Sequence, residues 1–198
     1  MAQALDYAAM LHQFCRERDL AQESAKTAIT LCTEQGFAYS LAWGTMMHGW
    51  ARADQGENAE CIAQMRKGLA AIQATGAALR QPYYLGLLAE ASGTAGHLED
   101  GFAMLAEAFI VVARAGERWS EAELHRLKGE LLLHSRADVW SSQLPIRLLR
   151  LYSPRRTSEE SFRHALDVAG LQQAKSWELR AATSLNHDPR RRRPWYSR

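Results

Sequence analysis

Carboxylate, histidine and cysteine side chains are the groups with which this 198-residue chain could hold a metal or attack a substrate. Glu121, Glu123 and His125 form the densest such group, but they are spaced by two residues. Side chains on a helix share a face when they lie three or four residues apart, so these three should not converge. The three cysteines form no C-x-x-C pair, and no G-x-S-x-G motif occurs. We therefore expect no metal site and no catalytic residue.

A glycine-rich loop of the kind that holds phosphate is also missing from the sequence. Neither G-x-x-x-x-G-K-[ST] nor G-x-G-x-x-G occurs, and the nearest stretch is Gly93-Thr94-Ala95-Gly96. The repeat described below assigns this stretch to a turn between two helices. The sequence therefore predicts no nucleotide and no other cofactor.

Basic residues concentrate in two segments, although the formal net charge is only +2. Residues 134–156 and residues 186–198 each contain five arginines and one aspartate, which leaves the rest of the chain acidic. One run consists of Arg190, Arg191, Arg192 and Arg193. Because arginines neutralise phosphates and the nearby Trp195 could stack on a base, weak nucleic-acid contact is one interpretation. The other interpretation is a solvated, disordered tail over 186–198.

A forty-residue repeat is the main feature of the sequence. Glycines that follow apolar helical runs recur at this spacing, at Gly36, Gly76 and Gly116. A second column at the same spacing contains only small residues: Ala9, Gly49, Ala89 and Gly129. The glycines predict left-handed residues that end helices, and the small residues predict close helix crossings.

Apolar residues within each repeat recur at three and four, which favours two helices per unit over strands. The predicted helices lie near 3–16, 21–33, 38–54, 58–74, 82–95, 98–115 and 119–133. Residues 1–185 therefore form an all-α array that carries an inserted loop at 134–156 and ends in the basic tail over 186–198. No apolar run approaches the ~18 residues of a membrane span, and no signal peptide opens the chain. An odd number of cysteines fits a reducing cytoplasm.

Two hairpin segments resemble the tetratricopeptide repeat. Leu85-x-x-Leu88-Ala89 with Gly96 resembles its first helix, and Ser158-x-x-x-Phe162-x-x-Ala165 resembles its second. The resemblance implies a right-handed α-solenoid of about four hairpin units. The forty-residue period exceeds the ~34 residues typical of that family, so a HEAT-like array is the alternative.

Longer stretches resemble one bacterial group of signalling proteins. Gly116-Glu117-Arg118-Trp119, residues 121–133 and residues 172–182 resemble the C-terminal repeat arrays that follow class III adenylate/guanylate cyclase and AAA-type ATPase domains. The resemblance implies a regulatory array without the cyclase itself. It also leaves open that the chain is a truncated, non-functional remnant of such a regulator.

The function expected from these features is non-catalytic binding of a protein or peptide in the concave groove lined by the first helix of each unit. Aromatic, arginine and other side chains on those helices are the candidate binding residues: Trp43, Met46, Trp50, Tyr83, Glu90, Glu123, Arg126 and Glu130. If they form the groove, Trp50, Tyr83 and Arg126 should be partly exposed. The competing interpretation places Trp43 and Trp50 in the core between repeats.

Overall fold

The described part of the chain is all-α, as the sequence predicts. The computed structural model describes residues 1–53, 58–141 and 154–186, and these contain no strand. The helices are α1 Ala2–Cys15, α2 Arg18–Gln35, α3 Ala38–Arg52, α4 Asn58–Ala74, α5 Gln81–Thr94, α6 Leu98–Ala115, α7 Glu121–Ser141, α8 Pro154–Leu171 and α9 Lys175–Asn186. None of the described helices combines the length and the apolar character needed to cross a membrane.

Glycines end the helices at the positions expected from the repeat. Gly36, Gly76 and Gly116 have φ angles of 73°, 78° and 69°, in the left-handed region that favours glycine. Gly96, in the stretch predicted to be a turn, has φ 82°. Arg16, eighty residues earlier in the same column, ends α1 with φ 63°. The reversal after α1 therefore lies in the column of Gly96, although arginine takes the place of glycine there.

The inserted loop predicted over 134–156 is wrong at both ends. Helix α7 continues to Ser141, because the eight residues after Leu133 include neither glycine nor proline to end it. Helix α8 begins at Pro154, and proline suits a first helical turn. The remainder of the predicted loop, 142–153, and the basic tail from 187 onward lie outside the described residues.

The chain divides into two compact units, Met1–Gly101 and Phe102–Arg198. In the first, consecutive helices from α1 to α5 pack on one another, and α1 also packs on α3 and α3 on α5. In the second, α7 packs on α8, α8 on α9, and α9 returns to α7. We call α1, α3, α5, α7 and α9 the first helices, and their hairpin partners the second helices. First helices therefore contact the next first helix within each unit.

Close crossings occur at the column of small residues. A Cβ atom at Gly129 would lie 2.5 Å from Cε1 of Phe162 on α8, and one at Gly49 would lie 2.7 Å from Cγ of Met65 on α4. Neither distance is compatible with normal van der Waals contact. The prediction that a second helix crosses directly over this column agrees with both positions.

Candidate protein-interaction surface

The candidate binding residues fall into three columns of the repeat on α3, α5 and α7. Trp43, Tyr83 and Glu123 share one column. Met46 and Arg126 share the second, and Trp50, Glu90 and Glu130 share the third. We refer to this side of the first helices as the first-helix face, and describe it separately for each unit.

The expectation that this face exposes its aromatic and arginine side chains is wrong. Trp50, Tyr83 and Arg126 are 1%, 3% and 7% exposed, respectively. Trp43, Met46 and Glu123 are buried as well, whereas Glu90 and Glu130 keep partial exposure. The physical reason is that, within each unit, a first helix packs on the next first helix and buries the side chains between them.

Trp50 lies under a shell of charged side chains in the first unit. Its indole Nε1 donates a hydrogen bond to Oε2 of Glu90, which occupies the equivalent position forty residues later, at 2.9 Å. The Arg18 guanidinium stacks 4.5 Å from the Trp50 ring centroid and donates a hydrogen bond to the Trp50 carbonyl. Nη1 of Arg16 lies 2.5 Å from Oε1 of Glu90. The structure thus brings two predicted residues together and adds two arginines that cover the indole.

Tyr83 is tied to α1 and α3 by polar and aromatic contacts. Its hydroxyl donates a hydrogen bond to Oε1 of the buried Gln13 at 3.0 Å, and it lies 3.9 Å from Sδ of Met47. Its ring packs edge-on against Phe14, with centroids 5.9 Å apart. A buried tyrosine needs such a partner for its hydroxyl, so these contacts identify Tyr83 as a core residue.

Trp43 belongs to an aromatic cluster around the guanidinium of Arg80. The Arg80 Cζ lies 4.6 Å from the Trp43 ring centroid and 5.1 Å from that of Tyr7. Arg80 also donates hydrogen bonds to the hydroxyls of Tyr7 and Tyr39. The Tyr39 hydroxyl in turn lies 3.3 Å from the hydroxyl of the buried Tyr84. Arg80 immediately precedes α5 and has φ 65°, so the chain reversal before α5 places a cation among rings from three helices.

Asp6 on α1 shares the column of Met46 and is fully buried. No donor among the described residues reaches its carboxylate oxygens with full hydrogen-bond geometry. Burial raises the pKa of the Asp6 carboxyl to about 6, while Ser40 and the charge of Arg80 act in the opposite direction. The first-helix face of this unit therefore contains a carboxyl group whose charge is poorly compensated.

The second unit holds its predicted residues in one charged network. Arg126 donates two hydrogen bonds to Glu123, at 2.9 and 2.8 Å, and one to Glu130 at 3.2 Å. It also donates to the hydroxyl of Ser184 on α9 at 3.2 Å. Nη2 of Arg180, also on α9, lies 2.6 Å from Oε1 of Glu123. All three predicted residues of α7 meet here, and α9 supplies the partners that complete the network.

The acidic and histidine group at 121–125 is divided among separate partners, as its spacing predicts. Glu121 forms an ion pair with Arg118 at 2.7 Å, whereas Glu123 belongs to the network of Arg126. The His125 ring packs between Phe109 and His164, with centroids 4.6 and 4.2 Å away. Burial and the neighbouring His164 lower the pKa of His125 to about 4. These three side chains therefore do not converge on one point.

Several residues of the first-helix face were missed from sequence. Four arginines contact side chains that are distant in sequence, so no local sequence pattern identifies them: Arg16, Arg18, Arg80 and Arg180. Asp6 is different, because the forty-residue register places it in the column of Met46 and Arg126 and could have identified it.

Three predicted features cannot be placed. Arg190, Arg191, Arg192 and Arg193 lie outside the described residues, as do Trp195 and, within 134–156, Arg147 and Arg150.

Comparison with known proteins adds no relative, since no family model, curated protein or solved structure matches this chain.

Proposed function

We propose that this chain is a non-catalytic protein-interaction module of the cytoplasm, built as a right-handed solenoid of tetratricopeptide-like hairpins. The main support is the hydrogen bond from Trp50 Nε1 to Glu90 Oε2, which joins equivalent positions one forty-residue period apart. Equivalent positions meet in this way when successive hairpins stack in register. The left-handed glycines at the same spacing support this architecture. On the resemblance described above, the module is a regulatory array of a bacterial cyclase- or ATPase-type signalling protein.

A partner would contact the partly exposed charges on the first-helix face, because the aromatic side chains lie beneath them. In the first unit these charges are Arg16 and Glu90, whose side chains are 34% and 15% exposed. In the second unit Glu130 keeps 31% of its side chain exposed beside the buried Arg126. Charged groups at the rim of an interface set specificity and association rate more than they set affinity. We therefore expect the partner to present charges of its own to these carboxylates and to Arg16.

The experiment compares capture of proteins from the source organism by the immobilised full chain and by two charge-reversal variants. Arg16→Glu changes the first-helix face, while Arg66→Glu changes an exposed arginine that pairs with Asp100 at 2.7 Å. A partner of the first-helix face should lose at least tenfold of its retention on Arg16→Glu and keep it on Arg66→Glu. Equal retention by the two variants would contradict the proposed surface.

The alternative function is nucleic-acid contact through the basic segments, and retention of DNA by the same immobilised chain distinguishes it from protein binding. If the chain retains DNA in a way that disappears between about 50 and 200 mM salt, and retains no protein, the basic segments dominate its binding. If the chain retains neither DNA nor protein, it behaves as the non-functional remnant that its resemblance to larger regulators leaves open.

A further inference from the structure

Two histidines of the second unit lie in ring-to-ring contact within the hairpin of α7 and α8. The rings of His125 on α7 and His164 on α8 have centroids 4.2 Å apart, with their planes at 84°. The Phe109 ring on α6 also packs against His125, with centroids 4.6 Å apart. We call His125 and His164 the histidine pair. An ionisable ring is therefore packed where three helices meet.

The histidine pair is separate from the charged network of the second unit. His125 contacts α6 and α8, whereas the next residue, Arg126, donates a hydrogen bond to Ser184 on α9. The two members also differ in their access to water, because His164 is exposed and His125 is half-buried. The pair therefore takes no part in the binding surface proposed above, and its chemistry calls for an explanation of its own.

The surroundings of His125 favour its neutral form. Burial is the largest cause of its lowered pKa, and His164 and Lys128, which lies one turn later on α7, act in the same direction. The carboxylate one turn earlier, Glu121, is paired with Arg118. Other charged groups within about a turn of these rings are exposed or paired near the surface, where solvent screens them: Glu107 on α6, and Glu160, Asp167 and the Arg163–Glu159 pair on α8.

We propose that the histidine pair is an acid-sensitive contact, in which protonation of His125 below about pH 6 separates its ring from Phe109 and His164 and loosens the second unit. A charged imidazolium is poorly solvated within this contact. A second proton on His164 would place a like charge beside it, since the ring centroids are only 4.2 Å apart. Both penalties disappear when the helices separate. The proposal is independent of the function proposed above.

The direction of the pH dependence follows from the pKa of His125, which is lowered from 6.5 to about 4. The folded state binds this proton more weakly than the unfolded state does. The stability is therefore fully present above pH 6.5 and is lost as the pH falls toward 4. Groups of the first unit titrate as well, since burial raises the pKa of Asp6 and lowers that of His48. A test must isolate His125 from them.

The experiment follows amide hydrogen exchange of the full chain by mass spectrometry at about pH 7.5 and about pH 5. His125→Leu keeps an apolar side chain at the contact and cannot be protonated. His97→Gln is the control, because it removes an exposed histidine before α6. At each pH, the ratio of the wild-type rate to the variant rate cancels the intrinsic exchange rate and the titration of shared groups.

For peptides from α7 and α8, the ratio of wild type to His125→Leu should rise at least about tenfold from the higher pH to the lower. The ratio to His97→Gln should change less than about twofold, because an exposed side chain meets solvent in both states. Peptides from α1 to α3, in the first unit, should also show less than about a twofold change in either ratio.

A ratio to His125→Leu that changes less than about twofold in α7 and α8 would overturn the proposal. So would a ratio that falls, because Phe109 would then stabilise the imidazolium by a cation–π contact. If His125→Leu does not fold, proton NMR of the wild type decides. The Cε1 proton of His125, identified by its contact with the Phe109 ring, should titrate with a midpoint below about pH 5.5. A higher midpoint would overturn the proposal.

Discussion

Each of the two units buries an ionisable residue in the same column of the repeat, but only the second unit supplies that residue with well-placed hydrogen-bond partners. In the first unit Asp6 is buried without a hydrogen-bond donor of full geometry, and burial raises its pKa. In the second unit Arg126 is also buried, but Glu123, Glu130 and Ser184 accept its hydrogen bonds. A buried charge is tolerated when it is paired, whereas a poorly paired one tends to become neutral.

The first-helix faces of the two units also differ in the kind of side-chain contact that holds their helices together. The first unit is held by aromatic side chains with arginines stacked over them, as at Trp50 and Arg18. The second relies on carboxylate–guanidinium pairs, one within α7 and one between α7 and α9. One repeat register therefore accommodates two kinds of core, and changes to each should have different consequences.

The largest effect should follow removal of an aromatic ring from the first unit. Trp50→Ala should lower the free energy of unfolding by about 3–5 kcal/mol, because it deletes a buried ring and leaves Glu90 and Arg18 without their contacts. Phe37→Ala, at a residue that is 50% exposed, should cost less than about 1 kcal/mol. Chemical denaturation of the two variants decides the matter. If Trp50→Ala leaves the free energy of unfolding unchanged, Trp50 is an exposed groove residue and not a core residue.

A slightly smaller loss should follow disruption of the charged network in the second unit. Glu123→Gln should cost about 3 kcal/mol, because two guanidinium groups lose a buried counter-charge. The control is Glu159→Gln, which removes the same charge from an exposed pair with Arg163 and should cost less than about 0.5 kcal/mol. Urea denaturation at pH 7 measures both changes. Similar small losses would show that the network contributes no more than surface pairs do.

Helix crossings should respond to volume and not to charge. Gly129→Ala should destabilise the second unit by about 1–3 kcal/mol, because its new methyl group meets the buried ring of Phe162. Gly170 on α8 is the matched position, since a Cβ there would lie 3.8 Å from Oε1 of Glu178. Gly170→Ala should therefore be neutral or stabilising by up to about 1 kcal/mol. Melting curves of the two variants measure both effects. If Gly129→Ala raises the melting temperature as Gly170→Ala does, Phe162 does not pack against Gly129.

A stability difference that depends on pH should appear in the first unit. The folded-state pKa of Asp6, about 6, exceeds its unfolded value of 3.8, so the folded state binds the proton more tightly. The resulting stability is fully present below pH 3.8 and is lost as the pH rises through 6. Asp6→Asn should nearly match the wild type near pH 4 and exceed it by about 2–3 kcal/mol at pH 8. Denaturation at both pH values tests this, and a variant that is less stable at pH 8 would show that the charged carboxylate is well compensated.

The backbone could be predicted from sequence further than the side chains could. Gly36, Gly76 and Gly116 predict helix ends, because the residue that follows a helix often adopts a left-handed conformation and glycine adopts it most easily. The absence of a side chain at Gly129 likewise predicts that another helix crosses there, as α8 does at Phe162. The sequence does not predict the extension of α7 to Ser141, because the residues in excess of the repeat between Leu133 and Thr157 indicate an insertion, although no glycine or proline lies between Leu133 and Ser141.

The burial of the first-helix face could not be predicted in the same way. The three-residue spacing of Glu123 and Arg126 allows them to pair, but Arg180 and Ser184 come from a helix more than fifty residues later. Trp50 could have faced either solvent or the next hairpin, since an aromatic side chain suits both. Only the packing of one first helix on another determines which alternative applies.

The forty-residue register is the central claim, and one paired measurement tests it most directly. Leu11 on α1 and Ala51 on α3 occupy the same column, but Leu11 is exposed and Ala51 is fully buried. The free energies of unfolding of Leu11→Lys and Ala51→Lys should differ by about 3 kcal/mol or more, with Leu11→Lys close to the wild type. If both lysines are tolerated, or if Leu11→Lys is the more damaging of the two, the register and the packing built on it are wrong.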